Sequence, residues 1–375
     1  MLHEQSRGLG LGAGKEGLIY ALTNVCGEVT ATDLYNSANW QTAAMSVNAV
    51  YEANPFPYRK ERLVVRNMDM TQIEFPENSF DFVWSCCAIE HVNNFRELHR
   101  VYEEIHRVLK PGGVAALTTE YNLSDHHSYE PNMLFTDPFW IEKWLTGADP
   151  LLQGFELVDP PDLTLTPAPG NTPQPRSKTP RTWVPVYSRN MIIDSVAFFL
   201  RKTGSFSRAY DDQWLPHQDW RIYWQGCDRL QEKDFVGAEP IFISLFQDTT
   251  DAKLKVAAVR RLLVSLQAQG KTAEAIDYCQ KVIPYCEQDA DTDHLLPIAS
   301  QCRKYKLWHE AQHLFQKVID CPGARDVQVV RSLLGRAEYC DLQNRPYEAL
   351  KLAEQACQVL PTDRDVVEIS HAQYY

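Results

Sequence analysis

Arg7–Leu11 reads as a short strand that runs straight into alternating glycines, Gly10-Leu11-Gly12-Ala13-Gly14, with a helical stretch from Lys15 to about Asn24 behind them. Such a turn lets backbone approach a ligand lying across the carboxyl edge of the first strand. Alone it is weak, because any tight strand–helix turn can use glycine. The downstream strands give it weight. Glu28–Thr32 (EVTAT) is a second strand ending at Asp33, Leu63–Val65 a third ending near Asp69, and Phe80–Ser85 (FDFVWS) a fourth. Phe95–Leu109 carries Leu98, Val101, Ile105, Val108 and Leu109 at helical spacing. Pro111-Gly112-Gly113 stops that helix, and Val114–Thr119 comes next as a fifth strand. Strands separated by helices mean βαβ units, hence a parallel sheet with helices on both faces.

Thr136-Asp137-Pro138 has the form of a helix start, a cap followed by Pro in the first turn. The helix Phe139–Leu145 leads to Phe155–Val158 as a sixth strand, and Ile192–Leu200 reads as a seventh. No crossover helix joins this last pair, so it is expected to be antiparallel. Between them, Asp159–Pro185 is rich in Pro and Thr and reads as an exposed excursion.

From Asp219 the pattern is helical only. Ala238, Ala275, Ala311 and Ala349 recur every 36 to 38 residues, and Glu precedes the last three. Gly226, Leu263, Ala299 and Ala337 stand twelve residues before them, and Phe242, Cys279, Phe315 and Ala353 four after. Small residues at fixed points let facing helices pack closely. The pattern resembles the tetratricopeptide (TPR) repeat, in four degenerate copies with a closing Pro361. At 375 residues the chain has room for two domains, which we set at 1–205 and 206–375.

A net charge of -12 argues against a nucleic-acid binder, which needs Lys and Arg to displace counterions. Ten cysteines without a CxxC pair fit a reduced, cytoplasmic setting, and no apolar stretch is long enough to span a bilayer. The glycine turn arrives within the first dozen residues, so no preceding helix is expected to cover it.

Asp33 and Asp69, with Met70, end the second and third strands on the edge that carries the glycines. A carboxylate there can accept ribose hydroxyls or an adenine amino group, and Met70 can cover the ring. The segments VTATDL, DMTQIEFPENSFDFVWS, AIEHV and VYEEIHRVLKPGGVAALTTE stand in an order that resembles the class I S-adenosylmethionine (SAM)-dependent methyltransferases of the type 11 kind, over residues 8–120. The resemblance implies a Rossmann-like seven-stranded sheet ahead of the all-α TPR-like solenoid. It implies SAM held by Gly10, Gly12, Gly14, Asp33, Asp69 and Met70, with Ser85 and Cys86 near its methionine end. Glu16 stands where the family often has a third glycine, and Gly10 where it usually has an acid. An NAD site would leave the Asp69 segment and LKPGG unexplained.

Methyl transfer is a single displacement whose rate rests on alignment. An oxygen acceptor must also lose a proton, and His91, beyond the fourth strand, suits that role. Glu120 is the second candidate, because Glu120-Tyr121-Asn122 ends the fifth strand on the same edge. His126, His127 and Tyr129, and the bases Arg176, Lys178, Arg181 and Arg189, are further acceptor-side candidates. Relatives with Glu-x-x-Glu-His bind a divalent ion, but Cys87 replaces the first Glu here, and no metal is expected. We therefore expect methyl transfer to an oxygen of a sugar or other polar small molecule, with the repeats contacting a protein partner or a second copy. The alternatives are a nitrogen or protein acceptor, or a non-catalytic adaptor built on the repeats.

Overall fold

In the computed structural model, which describes residues 2–35, 46–53, 55–124, 128–131, 133–159, 163, 174–175, 186–188, 191–215 and 218–359, the chain divides into two compact units. One is Met1–Leu165 with Asp194–Trp214, the other Thr166–Ile193 with Leu215–Tyr375.

The strands are β1 (Arg7–Leu11), β2 (Glu28–Asp33), β3 (Leu63–Asn67), β4 (Phe80–Cys86), β5 (Leu109–Asn122), β6 (Phe155–Leu157), β7 (Gln174–Pro175), β8 (Val186–Ser188) and β9 (Met191–Lys202). The sheet runs β3-β2-β1-β4-β5-β9, and β6 pairs β9 antiparallel, as its loop connection requires. β1 to β5 are mutually parallel. The sequence predicts seven strands; β7 is a short addition inside the stretch expected to be irregular, β8 another just past its end, and β8 pairs the opening residues of β9. Chain order reverses at β1, with β2 on one side and β4 on the other. The carboxyl ends of β1 and β4 therefore form the topological switch point where open α/β sheets bind ligands.

Along β1, Leu9 and Leu11 alternate with Gly8 and Gly10. A Cβ on Gly8 would lie 2.2 Å from the Phe82 ring, and one on Gly10 2.3 Å from the Trp84 ring. The two rings stack at 5.9 Å in a core with Tyr20, Val29, Ala31, Tyr35 and Val65. The sequence suggests a cofactor role for Gly10; its missing side chain is instead the space Trp84 fills. Gly10→Ala is expected to destabilise the protein by about 1–3 kcal/mol, because a buried indole cannot step aside. Urea unfolding measures this, and an unchanged midpoint would remove the packing argument.

Helices α1 (Gly17–Thr23), α2 (Val47–Glu52), α3 (Phe95–Val108) and α4 (Pro138–Ile141) flank this sheet. α3 is capped by Asn94, which accepts from Glu97 N–H, and buries Leu98, Val101, Ile105 and Val108. Pro111-Gly112-Gly113 lies inside β5 rather than between helix and strand. Leu109 already pairs Phe80, and the ladder resumes at Phe82↔Val114. The intervening residues bulge out around Gly112, whose φ of 79° glycine adopts without strain. Asp137 caps α4 as expected, accepting from Trp140 N–H. Phe206, Tyr210 and Trp214 surround the ring of His99, which holds the segment up to Trp214 to the sheet unit, past the expected boundary at 205.

The second unit contains α5 (Gln218–Gln231), α6 (Phe235–Asp248), α7 (Ala252–Ala268), α8 (Thr272–Cys286), α9 (Thr292–Lys304), α10 (Trp308–Asp320), α11 (Asp326–Leu342) and α12 (Pro346–Val359). Ala238, Ala275 and Ala311 are fully buried. Gly226 faces the Phe242 ring, which a Cβ there would meet at 2.6 Å. Each hairpin turns through three residues with the middle one left-handed: Lys233, Gly270, Lys306 and Asn344, with φ of 57° to 71°. Each of these stands five residues before a recurring alanine. Pro361 lies outside the described residues. Among the described residues, no helix is long and apolar enough to cross a membrane.

Candidate active site

The register puts Leu11 opposite Thr32 and Asp33 opposite Asn67, so Asp33 lies one residue past the end of β1, level with the glycine turn. Gly12 and Gly14 both have left-handed backbones, φ 59° and 50°. Gly14 N–H donates to Asp33 Oδ2 at 2.9 Å and Leu34 N–H to Oδ1 at 2.7 Å. The Tyr35 hydroxyl closes the turn by donating to Gly14 O at 2.7 Å. Asp33 is 9% exposed. Burial raises its carboxyl above the usual aspartate range, against its two N–H donors and the nearby charge of His91. Each carboxylate oxygen keeps a second lone pair, and those are what a ligand can use.

Gly12 also meets the third strand's tip. A Cβ there would lie 2.4 Å from Ala88 Cβ and 3.4 Å from Met70 Cε. Gly12, Gly14, Asp33 and Met70 are thus brought together. Asp69 is exposed and folds one oxygen onto Thr71, accepting from its N–H at 2.7 Å and its hydroxyl at 2.8 Å. Ser85 faces inward. It is 1% exposed and donates to Leu11 O at 2.9 Å, tying β4 to β1. Strand alternation explains this, since neighbours on a strand face opposite ways and Cys86 takes the open side. Partial burial and the carboxylate of Glu16 push the Cys86 thiol up to about 12.

Glu16, which stands out in the sequence only as a departure from the family pattern, faces this turn. It occupies the cap position of α1 yet makes no cap hydrogen bond. Its carboxylate instead accepts Trp84 Nε1–H at 2.9 Å and bonds the Cys86 thiol. Burial raises its pKa, and the charge of Asp33 adds to the effect.

At the far side, His91 ends the single turn Ile89–His91 beyond β4 and is half-buried. Beside it, Glu90 is fully buried. Its Oε1 accepts Glu120 N–H at 3.1 Å and its backbone oxygen accepts Leu134 N–H at 2.8 Å. Among the described residues, Glu90 Oε2 and Glu120 Oε2 are enclosed without a hydrogen-bond partner. Burial, reinforced by the Glu120 carboxylate, raises Glu90 to about 8. Glu120 is half-buried, while Tyr121 and Asn122 are buried outright and face no open cleft. Tyr129 is half-buried; His126, His127, Arg176, Lys178, Arg181 and Arg189 lie outside the described residues. The segment AIEHV points to Glu90, but its burial depends on Glu120 and Leu134, which local sequence does not show.

A family model described as a methyltransferase domain matches from β1 into β5, residues 9–117. This span carries a methyltransferase domain. A sterol 24-C-methyltransferase of Aspergillus fumigatus is 54% identical over 46 residues, covering 12% of this chain and 11% of that protein. The sterol 24-C-methyltransferase of Neurospora crassa is 34% identical over 116 residues, 28% of this chain and 29% of that protein. The chain thus spans less than a third of the length of these curated relatives. Among solved structures, phosphoethanolamine N-methyltransferase 2 of Haemonchus contortus, in complex with S-adenosyl-L-methionine, aligns at 26% identity and a TM-score of 0.27, over 34% of this chain and 27% of that one.

Proposed function

We propose that this chain is a SAM-dependent methyltransferase acting on an oxygen of a polar acceptor. The observation that carries the reading is the bond from Gly14 N–H to Asp33 Oδ2 at 2.9 Å, which joins the glycine turn to an acidic strand tip at the switch point. The residues present fit the cofactor. Asp33 offers its open lone pairs to the ribose hydroxyls, and Gly12 offers backbone that any side chain would block. Met70 is in place to cover the adenine and Asp69 to meet its amino group. When bound, SAM supplies a methyl carbon activated by its sulfonium.

The protein then has to align the acceptor and take its proton. His91 serves as the base, and its turn is held by Glu90 through Glu120 N–H and Leu134 N–H. The half-buried polar groups His91, beyond β4, and Glu120, near the end of β5, support a polar acceptor. The sterol 24-C-methyltransferase matches favour a carbon acceptor as the second reading, although they cover less than a third of this chain. A nitrogen or protein acceptor is the third. The evenly spaced hairpins are read as a TPR-like solenoid that contacts a protein or a second copy. All ten cysteines stand as free thiols, which supports a cytoplasmic setting.

Calorimetry with SAM and S-adenosylhomocysteine tests the cofactor, and absence of heat with both would favour the non-catalytic adaptor. An acceptor screen with labelled SAM is the next step. On an oxygen acceptor, His91→Ala is expected to lower kcat by about 10²–10⁴-fold. Unchanged turnover across a pH series would remove His91 from the reaction.

A further inference from the structure

Glu16 is a carboxylate with hydrogen-bond donors but no cation. Trp84 Nε1–H and the Cys86 thiol point at it, the charge of Asp33 works against it, and no ion pair involves it among the described residues. Two acids close to one glycine turn repel each other, and each is costly to bury without a counter-charge. Glu16 stands at the cap position of α1 with an extended backbone and makes no cap hydrogen bond. Its side chain turns away from the helix toward the end of β4.

We propose that Glu16 is the counter-charge for the cationic amino-acid end of the cofactor, and so the residue by which this site selects adenosyl amino acids over plain adenosyl thioethers. The inference rests on the SAM reading above. Asp33 holds the sugar whichever adenosyl ligand is present. Glu16 answers only to a ligand that brings an ammonium group, and its arrival relieves the repulsion between the two acids. A charge-assisted bond in a half-buried setting corresponds to about 10- to 100-fold in affinity.

The test uses the full chain and three probes: SAM, S-adenosylhomocysteine, and 5′-methylthioadenosine, which keeps the adenosine and thioether but lacks the amino-acid end. Glu16→Gln retains an oxygen for the Trp84 indole and removes only the charge, so the fold persists; a thermal melt confirms this. Calorimetry is expected to show SAM and S-adenosylhomocysteine binding about 10- to 100-fold weaker to the variant, with 5′-methylthioadenosine within about threefold of wild type. Glu16→Asp should recover part of the loss. Equal losses for all three probes, or none for any, would overturn the assignment. Failure of the wild-type chain to bind any probe would instead refute the SAM reading on which it rests.

Discussion

Asp33→Asn is expected to weaken SAM binding by about 100-fold or more and to lower stability as well. In the wild type both carboxylate oxygens already accept a backbone N–H, from Gly14 and from Leu34. An asparagine has one acceptor oxygen, so one of those N–H groups must face an amide NH₂ and go unpaired. That costs about 1–3 kcal/mol of stability. The ribose loses more. Two charge-assisted acceptors become at most one neutral acceptor, and each such bond corresponds to about 10-fold or more in affinity. The two losses separate experimentally. Calorimetry on folded variant reports the ligand term, and chemical unfolding without ligand reports the backbone term. SAM affinity within threefold of wild type would refute Asp33 as the ribose anchor.

Asp33 was legible because its position follows from local pattern: a β-branched run ends, an acid comes next, and the parallel register brings that acid level with the glycines. Patterning placed α3, the antiparallel closing pair and the spacing of the helical hairpins in the same way. The packing of Gly10 and Ser85 was not legible, for one reason. Both are settled by β1–β4 pairing across more than seventy residues, which puts Trp84 over Gly10 and Leu11 O beside the Ser85 hydroxyl. Nothing adjacent in sequence signals either. The hairpin turns were missed on other grounds. Gly270 and Asn344 are ordinary left-handed residues, but Lys233 and Lys306 are not, and each is held at positive φ by the packing of the helices on both sides. Packing there outweighs a local cost of about 1 kcal/mol.

Glu90 is where stability and site geometry conflict most, and Glu90→Gln exposes the conflict as a pH-dependent stabilisation. The folded carboxyl has its pKa raised to about 8 by burial and by Glu120, against 4.5 for the free side chain. The raised value fixes the sign. Folded protein holds the proton more tightly than unfolded chain, so stability is full below about pH 4.5, declines as pH rises, and levels off above about pH 8. At about 1.4 kcal/mol per unit, the difference between 8 and 4.5 amounts to roughly 5 kcal/mol at that upper level, and roughly 3 at neutral pH. Glutamine does not titrate. Its oxygen keeps the Glu120 N–H, and it removes the buried charge that Glu120 repels. The variant should match wild type near pH 5 and melt roughly 10–20 °C higher at pH 8.5, at 2–4 °C per kcal/mol for a unit of this size. Parallel melting temperatures from pH 5 to 9 would show that Glu90 ionises freely in the folded state. The acid fastens the His91 turn to β5 and to Leu134, and the surrounding sheet absorbs the local instability this brings.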